Sequence, residues 1–390
     1  MTVTRLLDAL VRAPRPLRQA AVGVDLLRSI GVREALQRKR EDAHMAELAV
    51  GDIRPGYRRL WQDAADEVGA EMEHVGEGFL EFRRGDAHTR VWNNWVGLDD
   101  VVTARFAQDK TIGHRLLAAA GLPVPEHVAF RAGDAAPALA FLRATGGACV
   151  IKPVASAGGS GTTSGVCTPA QLRRAQLRAG RQNRDLLIER QAPGAVYRLL
   201  FLEGELIGAI RRLPPTVVGD GVATIAELIA AENARRFEMA AGERTWLLRA
   251  DLDAVFTLQN AGRRLSCVPD ADERVAVKTA VSQNGPQDNE RVGADELAAE
   301  LISEAKAAVA LLGVRLAGVD LITAAPTRSL RDGGGVVLEV NATPGLHYHY
   351  DVRDRAHADR VMVPILRRLL DERPAPGPIR SSVAGPPAGH

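Results

Sequence analysis

The segment Val150-Ile151-Lys152-Pro153 reads as an apolar strand that ends in a lysine and runs into a glycine-rich turn reaching Val166. Glycines at 158, 159, 161 and 165 let the backbone approach a ligand closely, and successive N–H groups in such a turn point at an anion. Lys152, expected as an exposed cleft residue, adds a compact positive charge. The chemistry this suits is holding phosphate. It is not a Walker A loop, since no Gly-Lys-Ser/Thr follows. It is not a dinucleotide-binding turn either, since the glycines fall as GxGxxxG. A flexible hairpin beside a surface lysine would leave the same trace.

A second group lies near the end of the chain. Glu339 and Asn341 are two residues apart in GVVLEVNA, so they face one side of a strand. Asp320 sits in the middle of LAGVDLIT, and a hairpin can bring it opposite Glu339. Carboxylates in apolar strands are costly without partners. Hard oxygen donors converging on one point suit Mg²⁺ beside nucleotide phosphates. The alternative is a carboxylate satisfied by a nearby arginine. In a third segment, Leu186-Leu187-Ile188-Glu189-Arg190-Gln191, a buried strand exits into polar residues. An adenine ring could bond to the backbone there, or a strand simply ends. Lys+Arg totals 50, yet only Lys39, Lys110, Lys152, Lys278 and Lys306 are lysines. Where arginine is the default cation, a lysine can mark a site that needs a compact point charge, and Lys152 falls beside the glycine-rich turn.

The elements that must position these groups alternate. Residues 1–50 read as basic helices, with nine basic against three acidic residues in positions 1–40. Their basic face is either solvated or a contact to a second copy, so homo-oligomerisation stays open. A helix and short strands fill 57–97, and an amphipathic helix covers 102–121, stopping at Gly121. Strands and helices alternate over 126–190, and a hairpin over 196–212 turns at Glu203-Gly204. A helix over 223–236, a mixed stretch over 244–280 and a helix over 294–312 lead to the two strands carrying Asp320 and Glu339. A final helix over 356–372 precedes a Pro/Gly/Ser-rich tail that reads as disordered.

The chain has 390 residues, 46% hydrophobic and 25% charged, with a net charge of +2. That near-neutral balance argues against a dedicated nucleic-acid binder. No apolar run has the length of a membrane span, and the arginine-broken N-terminus is not a signal peptide. Cys149, Cys167 and Cys267 are far apart and offer neither a disulfide framework nor a zinc site, so a reducing, cytoplasmic setting is expected.

Taken together, and in this order, the three signals resemble the ATP-grasp superfamily. In particular they resemble the ATP-grasp part of cyanophycin synthetase, and also the glutathione synthetase and D-alanine–D-alanine ligase groups. The likeness covers about residues 100–372. It is carried by Ala107-Gln108-Asp109-Lys110, GLPVPE, VIKPVASAGGSGTTSGV, LLIERQAPGAVYRLLFLEGELIG, PPTVVGDGVATIAEL, Val268-Pro269, Gly318-Val319-Asp320 and LEVNATPGLHYH. It implies an α/β (α+β) architecture in which two α/β subdomains clasp ATP beside a small N-terminal α/β domain. The expected division is 1–100 for the N-terminal domain, 101–187 for the lid subdomain, 188–372 for the C-terminal subdomain with the metal site, and 373–390 for the tail.

The resemblance also implies an ATP-dependent carboxylate–amine ligase. Such an enzyme forms an amide bond through an acyl phosphate, with an amino acid or short peptide as substrate. Its partners are small-molecule carboxylates and amines, with no nucleic acid and no membrane. By this likeness Lys110 and Lys152 contact ATP phosphates, and Gly158, Gly159, Ser160, Gly161 and Thr162 lie in the loop over them. Glu189, Arg190 and Gln191 line the adenine pocket. Asp320, Glu339 and Asn341 hold two Mg²⁺ ions, with Mn²⁺ able to substitute. Arg198, Arg212 and Lys278 face the transferred phosphoryl group or the carboxylate, and His347, His349, Ser282 and Asn284 face the substrate.

Two departures are visible. Val196 stands where related ligases have an acidic ribose contact, and Val281-Ser282-Gln283-Asn284-Gly285-Pro286 replaces an Asn-x-Ser-x-Gly-Gly loop. One phosphate loop and one metal set, with no Mur-ligase-like half, lead to the expectation of a single defined product. Two alternatives are an ATP-grasp enzyme that releases a phosphorylated product and a non-catalytic nucleotide-binding module.

Overall fold

The computed structural model describes residues 3–48, 56–76, 78–155, 159–238, 247–283 and 285–372. Gly158, Asn284 and the tail expected over 373–390 lie outside the described residues. Helices α1 (Val3–Arg12), α2 (Arg15–Ile30) and α3 (Val32–Leu48) open the chain. Helix α4 (Tyr57–Val68) leads into an antiparallel sheet of β1 (Glu71–Gly76), β2 (Phe79–Arg84) and β3 (Ala87–Trp92). The helix expected over 102–121 is two helices, α5 (Val101–Ala107) and α6 (Lys110–Ala119). Asp109 is the reason. Its side chain accepts from the amides of Thr111 and Ile112, both at 3.0 Å, which starts a new helix with Lys110 at its first position.

Next come β4 (His127–Arg131), α7 (Ala136–Thr145), β5 (Cys149–Pro153), β6 (Thr163–Val166), α8 (Pro169–Ala179) and β7 (Asp185–Arg190). Their strands pair in the order β4-β7-β5-β6. Strands β8 (Ala195–Leu202) and β9 (Glu205–Arg212) turn, as expected, at Glu203 and Gly204, whose φ values of 51° and 82° match the twist of a tight hairpin. The rest is β10 (Thr216–Val218), α9 (Ile225–Glu238), α10 (Leu252–Asn260), β11 (Arg274–Ala276), β12 (Asn289–Arg291), α11 (Ala299–Leu312), β13 (Leu316–Thr323), α12 (Leu330–Gly333), β14 (Val336–Asn341) and α13 (Met362–Glu372). Five of these strands form a second large sheet in the order β12-β9-β8-β13-β14.

Strand alternation decides what each face of this five-stranded sheet meets. Leu199, Phe201, Val319 and Leu321 point to one side and bury against α5, α6 and α11. Leu200, Leu202 and Leu316 point to the other and bury with Trp61 of α4, Phe82 of β2 and Leu366 of α13. A third core lies within the β4-β7-β5-β6 sheet and its helices.

Two expected boundaries change. The division at 187/188 falls inside β7, whose Glu189 and Arg190 are paired in the four-stranded sheet. Residues 1–100 are not one unit. Val11 and Ile30, from the first two helices, join the core of the four-stranded sheet, as do Val217, Ile225 and Phe256, which were expected in the C-terminal subdomain. An amphipathic pattern reports that a helix has an apolar face but not which sheet receives it.

Candidate active site

On the face of the five-stranded sheet that carries Leu200 and Leu316, the strand ends turn polar. Asp320 is paired in register with Arg198 on one side and Glu339 on the other, and Gly318 with Asn341. A bulge in β14 opposite Asp320 and Leu321 leaves Leu338 unpaired, which keeps Val337 in the core and turns Glu339 to the polar face. Arg198 holds Asp320 with a fork, Nε to Oδ1 at 2.7 Å and Nη2 to Oδ2 at 2.6 Å. Lys110 Nζ is 3.0 Å from Glu339 Oε2. Asn341 Nδ2 lies 3.4 Å from both Asp320 Oδ2 and Glu339 Oε1. Burial alone would lift the Glu339 carboxyl, but the charges of Lys110 and Lys152 outweigh it and hold it well below the usual carboxylate range. Lys110 is raised in turn, because Glu339 overcomes the cost of its own burial.

The four-stranded sheet contributes the facing wall. Val150, paired with Glu189, puts Lys152 and Glu189 on one face as diagonal neighbours, and Lys152 Nζ sits 2.7 Å from Glu189 Oε1. Lys152 is 7% exposed and Glu189 3%, so the lysine expected in an open cleft is buried. His114 of α6 spans the two walls. Its Nε2 is 2.8 Å from the carbonyl of Leu338, the bulged residue beside Glu339, and its Nδ1 is 3.6 Å from Glu189 Oε1. Each of the three carboxylates therefore has a basic partner, and all of them converge.

The glycine turn rests on the loop that follows β11. A side chain at Gly159 would come within 2.8 Å of Ser282 Oγ, and Gly159 and Gly161 have φ of +69° and +81°, so both positions favour glycine. Thr162 N donates to Gly159 O across the turn, and Ser160 at its tip is exposed. Arg212 Nη2 donates to Val281 O at 2.9 Å, while its buried Nε has no hydrogen-bond partner and Arg212 makes no ion pair among the described residues. Burial depresses its pKa. Tyr348 lies between the two arginines, its ring centroid 4.3 Å from Arg212 Cζ and 5.3 Å from Arg198 Cζ. His347 Nδ1 and the Tyr57 hydroxyl are 2.9 Å apart.

His349 is fully buried with no partner for either ring nitrogen, and burial, with Arg198, His347 and Arg212 nearby, pushes its pKa down to about 3. In the unfolded chain the ring titrates near 6.5. Its contribution to stability is therefore complete above that pH and is lost as the pH falls through the folded value. Between those limits the slope approaches about 1.4 kcal/mol per pH unit. Urea unfolding from pH 6.5 to 4.5 is expected to show a shallower pH dependence in His349→Gln than in the parent, and equal slopes would refute this assignment.

Three expected residues stand apart. Lys278 Nζ is spent on Asp251 Oδ2 at 2.8 Å and Gln283 Oε1 at 3.1 Å, in a buried cluster with Arg178, so the structure does not bring it to the lysine–carboxylate row. Arg190 reaches the outer edge, its Nε 2.9 Å from Glu126. Gln191 Oε1 accepts from Gly165 N at 2.9 Å and so braces the glycine hairpin. Sequence reasoning missed Asp109, His114 and Tyr348. The first had a signal, an aspartate directly before a helical lysine; the others carry no local signal, because their placement comes from packing. A cavity of about 730 Å³ lies away from the row, between α2, α3 and α8–α10, and shares none of these residues. No helix among the described residues is long and apolar enough to cross a membrane.

No family model matches the chain. Cyanophycin synthetase from Trichormus variabilis is 29% identical over 307 residues, 74% of this chain and 34% of that protein. The enzyme of the same name from Crocosphaera subtropica is 30% identical over 287 residues, 72% of this chain and 32% of that protein. The glutathione biosynthesis bifunctional protein GshAB from Mannheimia succiniciproducens is 29% identical over 296 residues, 73% of this chain and 39% of that protein. The chain thus spans about a third of the length of the curated relatives it matches. The solved bifunctional glutathione synthetase from Pasteurella multocida superposes with a TM-score of 0.51 at 23% identity, covering 80% of this chain and 43% of that one. The fold is the ATP-grasp fold. Within it, the sequence is similar to the cyanophycin synthetase and glutathione-synthesising groups.

Proposed function

We propose that the chain is an ATP-dependent carboxylate–amine ligase that activates the carboxylate of an amino acid or short peptide as an acyl phosphate and passes it to an amine. One observation carries this reading. A buried guanidinium, Arg212, makes no ion pair among the described residues, and it lies beside the Arg198–Asp320–Glu339–Lys110 row. A buried cation of that kind is costly. An anionic substrate group would supply its counter-charge in a geometry that suits a guanidinium fork.

Lys110 and Lys152 hold the phosphates, each exchanging its carboxylate partner for phosphate oxygens, while the glycine turn covers them from above. Asp320, Glu339 and Asn341 fit Mg²⁺: two carboxylates and one amide converge, and the amide oxygen and nitrogen can be interchanged by a flip. We place two ions there, with Mn²⁺ able to substitute; when bound they neutralise charge on the phosphates. Arg198 steadies Asp320, Arg212 orients the acceptor carboxylate, and Tyr348 keeps the two guanidiniums in place. Ser282, His347 and His349 line the substrate side. Ser282 can hydrogen-bond a small polar substrate, and neutral His349 adds no charge beside the two arginines. Phosphoryl transfer needs positioning and charge neutralisation rather than a protein nucleophile. A cytoplasmic location fits a reaction that consumes ATP.

Hydroxylamine tests the activation step without knowledge of the amine. With ATP, Mg²⁺ and a panel of amino acids and dipeptides, one carboxylate is expected to give a hydroxamate together with ADP, and Arg212→Ala is expected to abolish it. Formation of a stable phosphorylated product with no hydroxamate would favour the kinase-like alternative instead.

A further inference from the structure

Helix α10 joins the two loops that meet over the site. Asp253, its second residue, is 0% exposed and makes no ion pair among the described residues. Its charge is held by three backbone amides. Oδ1 accepts from Ser164 N at 2.7 Å, on the return strand of the glycine turn. Oδ2 accepts from Thr279 N at 3.2 Å and Ala280 N at 3.0 Å, at the root of the loop carrying Ser282. The same helix adds two weaker ties. Asn260 Nδ2 donates to Gly165 O at 2.9 Å, and the hydroxyls of Thr257 and Thr279 are 2.9 Å apart. At their tips the two loops pack directly, Gly159 against Ser282.

We propose that Asp253 is a positioning residue that yokes the glycine turn to the 279–283 loop, so that ordering one by nucleotide orders the other for the carboxylate substrate. The inference rests on the nucleotide-site reading above. A carboxylate is required because two separate sets of N–H donors must be satisfied at once, one by each oxygen. An asparagine has a single carbonyl oxygen, and its NH₂ would face the remaining donors. Asp253→Asn therefore has to release one of the loops while leaving α10 capped by Asp251.

Hydrogen–deuterium exchange of the full chain tests the yoke in two arms. Without nucleotide, Asp253→Asn is expected to speed exchange about tenfold in peptides covering 163–166 or 278–281, the scale of losing one or two buried hydrogen bonds. With a non-hydrolysable ATP analogue and Mg²⁺, the parent is expected to slow exchange in both 159–166 and 278–283. In the variant the slowing at 278–283 is lost. Leu258→Ala, a core truncation on the same helix that removes none of these ties, is expected to destabilise the protein yet keep the transmission. Should Asp253→Asn fail to fold, the isosteric Thr257→Val gives the same readout with a smaller change. Unchanged exchange at both segments without nucleotide, or equal slowing at 278–283 in parent and variant, overturns the yoke. Absence of slowing at 159–166 in the parent refutes the nucleotide site, and the yoke is then judged by the first arm alone.

Discussion

Replacing Lys152 with methionine is expected to cut ADP release by a factor on the order of 10²–10⁴, the scale of a lost transition-state charge contact. The structure adds a second consequence. Lys152 is the buried partner of Glu189, at 2.7 Å, so the single variant strands a carboxylate in a dry site. Breaking a buried pair in that way costs about 3–5 kcal/mol. A loss of activity could then be read as a loss of fold. The double variant Lys152→Met with Glu189→Gln removes the stranded charge and is expected to recover much of the stability lost by the single variant. It is not expected to recover turnover, because no cation returns to the phosphates. Thermal unfolding and ADP release, measured on parent, single and double variants, separate the two effects. A folded double variant with parental turnover would remove Lys152 from the phosphate site.

Glu339→Gln is expected to lower turnover by about 10²–10³ at ordinary Mg²⁺, by deleting one of the two carboxylates available to the metal. It keeps the shape of the side chain but leaves Lys110, 3.0 Å away, without its counter-charge. Because the missing charge is a metal contact, raising Mg²⁺ is expected to restore part of the activity and to shift the Mg²⁺ midpoint upward. A purely structural Glu339 would instead lower activity at every Mg²⁺ concentration with the midpoint unchanged. The sign of the pH effect agrees. Lys110 and Lys152 hold Glu339 well below the usual carboxylate range, so it stays ionised and metal-competent through mildly acidic pH.

Much of this site was legible as spacing. Period two in GVVLEVNA placed Glu339 and Asn341 on one face, and the hairpin did bring Asp320 opposite Glu339. The glycine turn and the strand before it were read from glycine content and apolar run alone. Part of what escaped was a local cap, and the rest was set by tertiary packing. The break at Asp109 changes Lys110 from a mid-helix residue to a helix start, and one aspartate within an otherwise continuous helical pattern decides it. Lys278 looked like a phosphate ligand because lysine is scarce in this chain, yet Asp251 and Gln283 claim it, and neither neighbours it in sequence. Lys152 is buried beside Glu189, with His114 of α6 against that carboxylate, a meeting of distant segments that no local pattern could report. Tyr348 sits between two histidines in LHYHY, and only the fold shows that its ring, rather than theirs, lies between the arginines.

The central claim is amide formation driven by ATP cleavage. The most direct test measures ADP release and product mass together, in a pairwise screen of amino acids and short peptides as carboxylate and amine donors. The account predicts that ADP appears only when a matching pair is present, with about one ADP per product. The product mass should equal the sum of the two substrates less one water. ADP formed with one substrate alone, alongside a stable phosphorylated product and no condensed species, would contradict it.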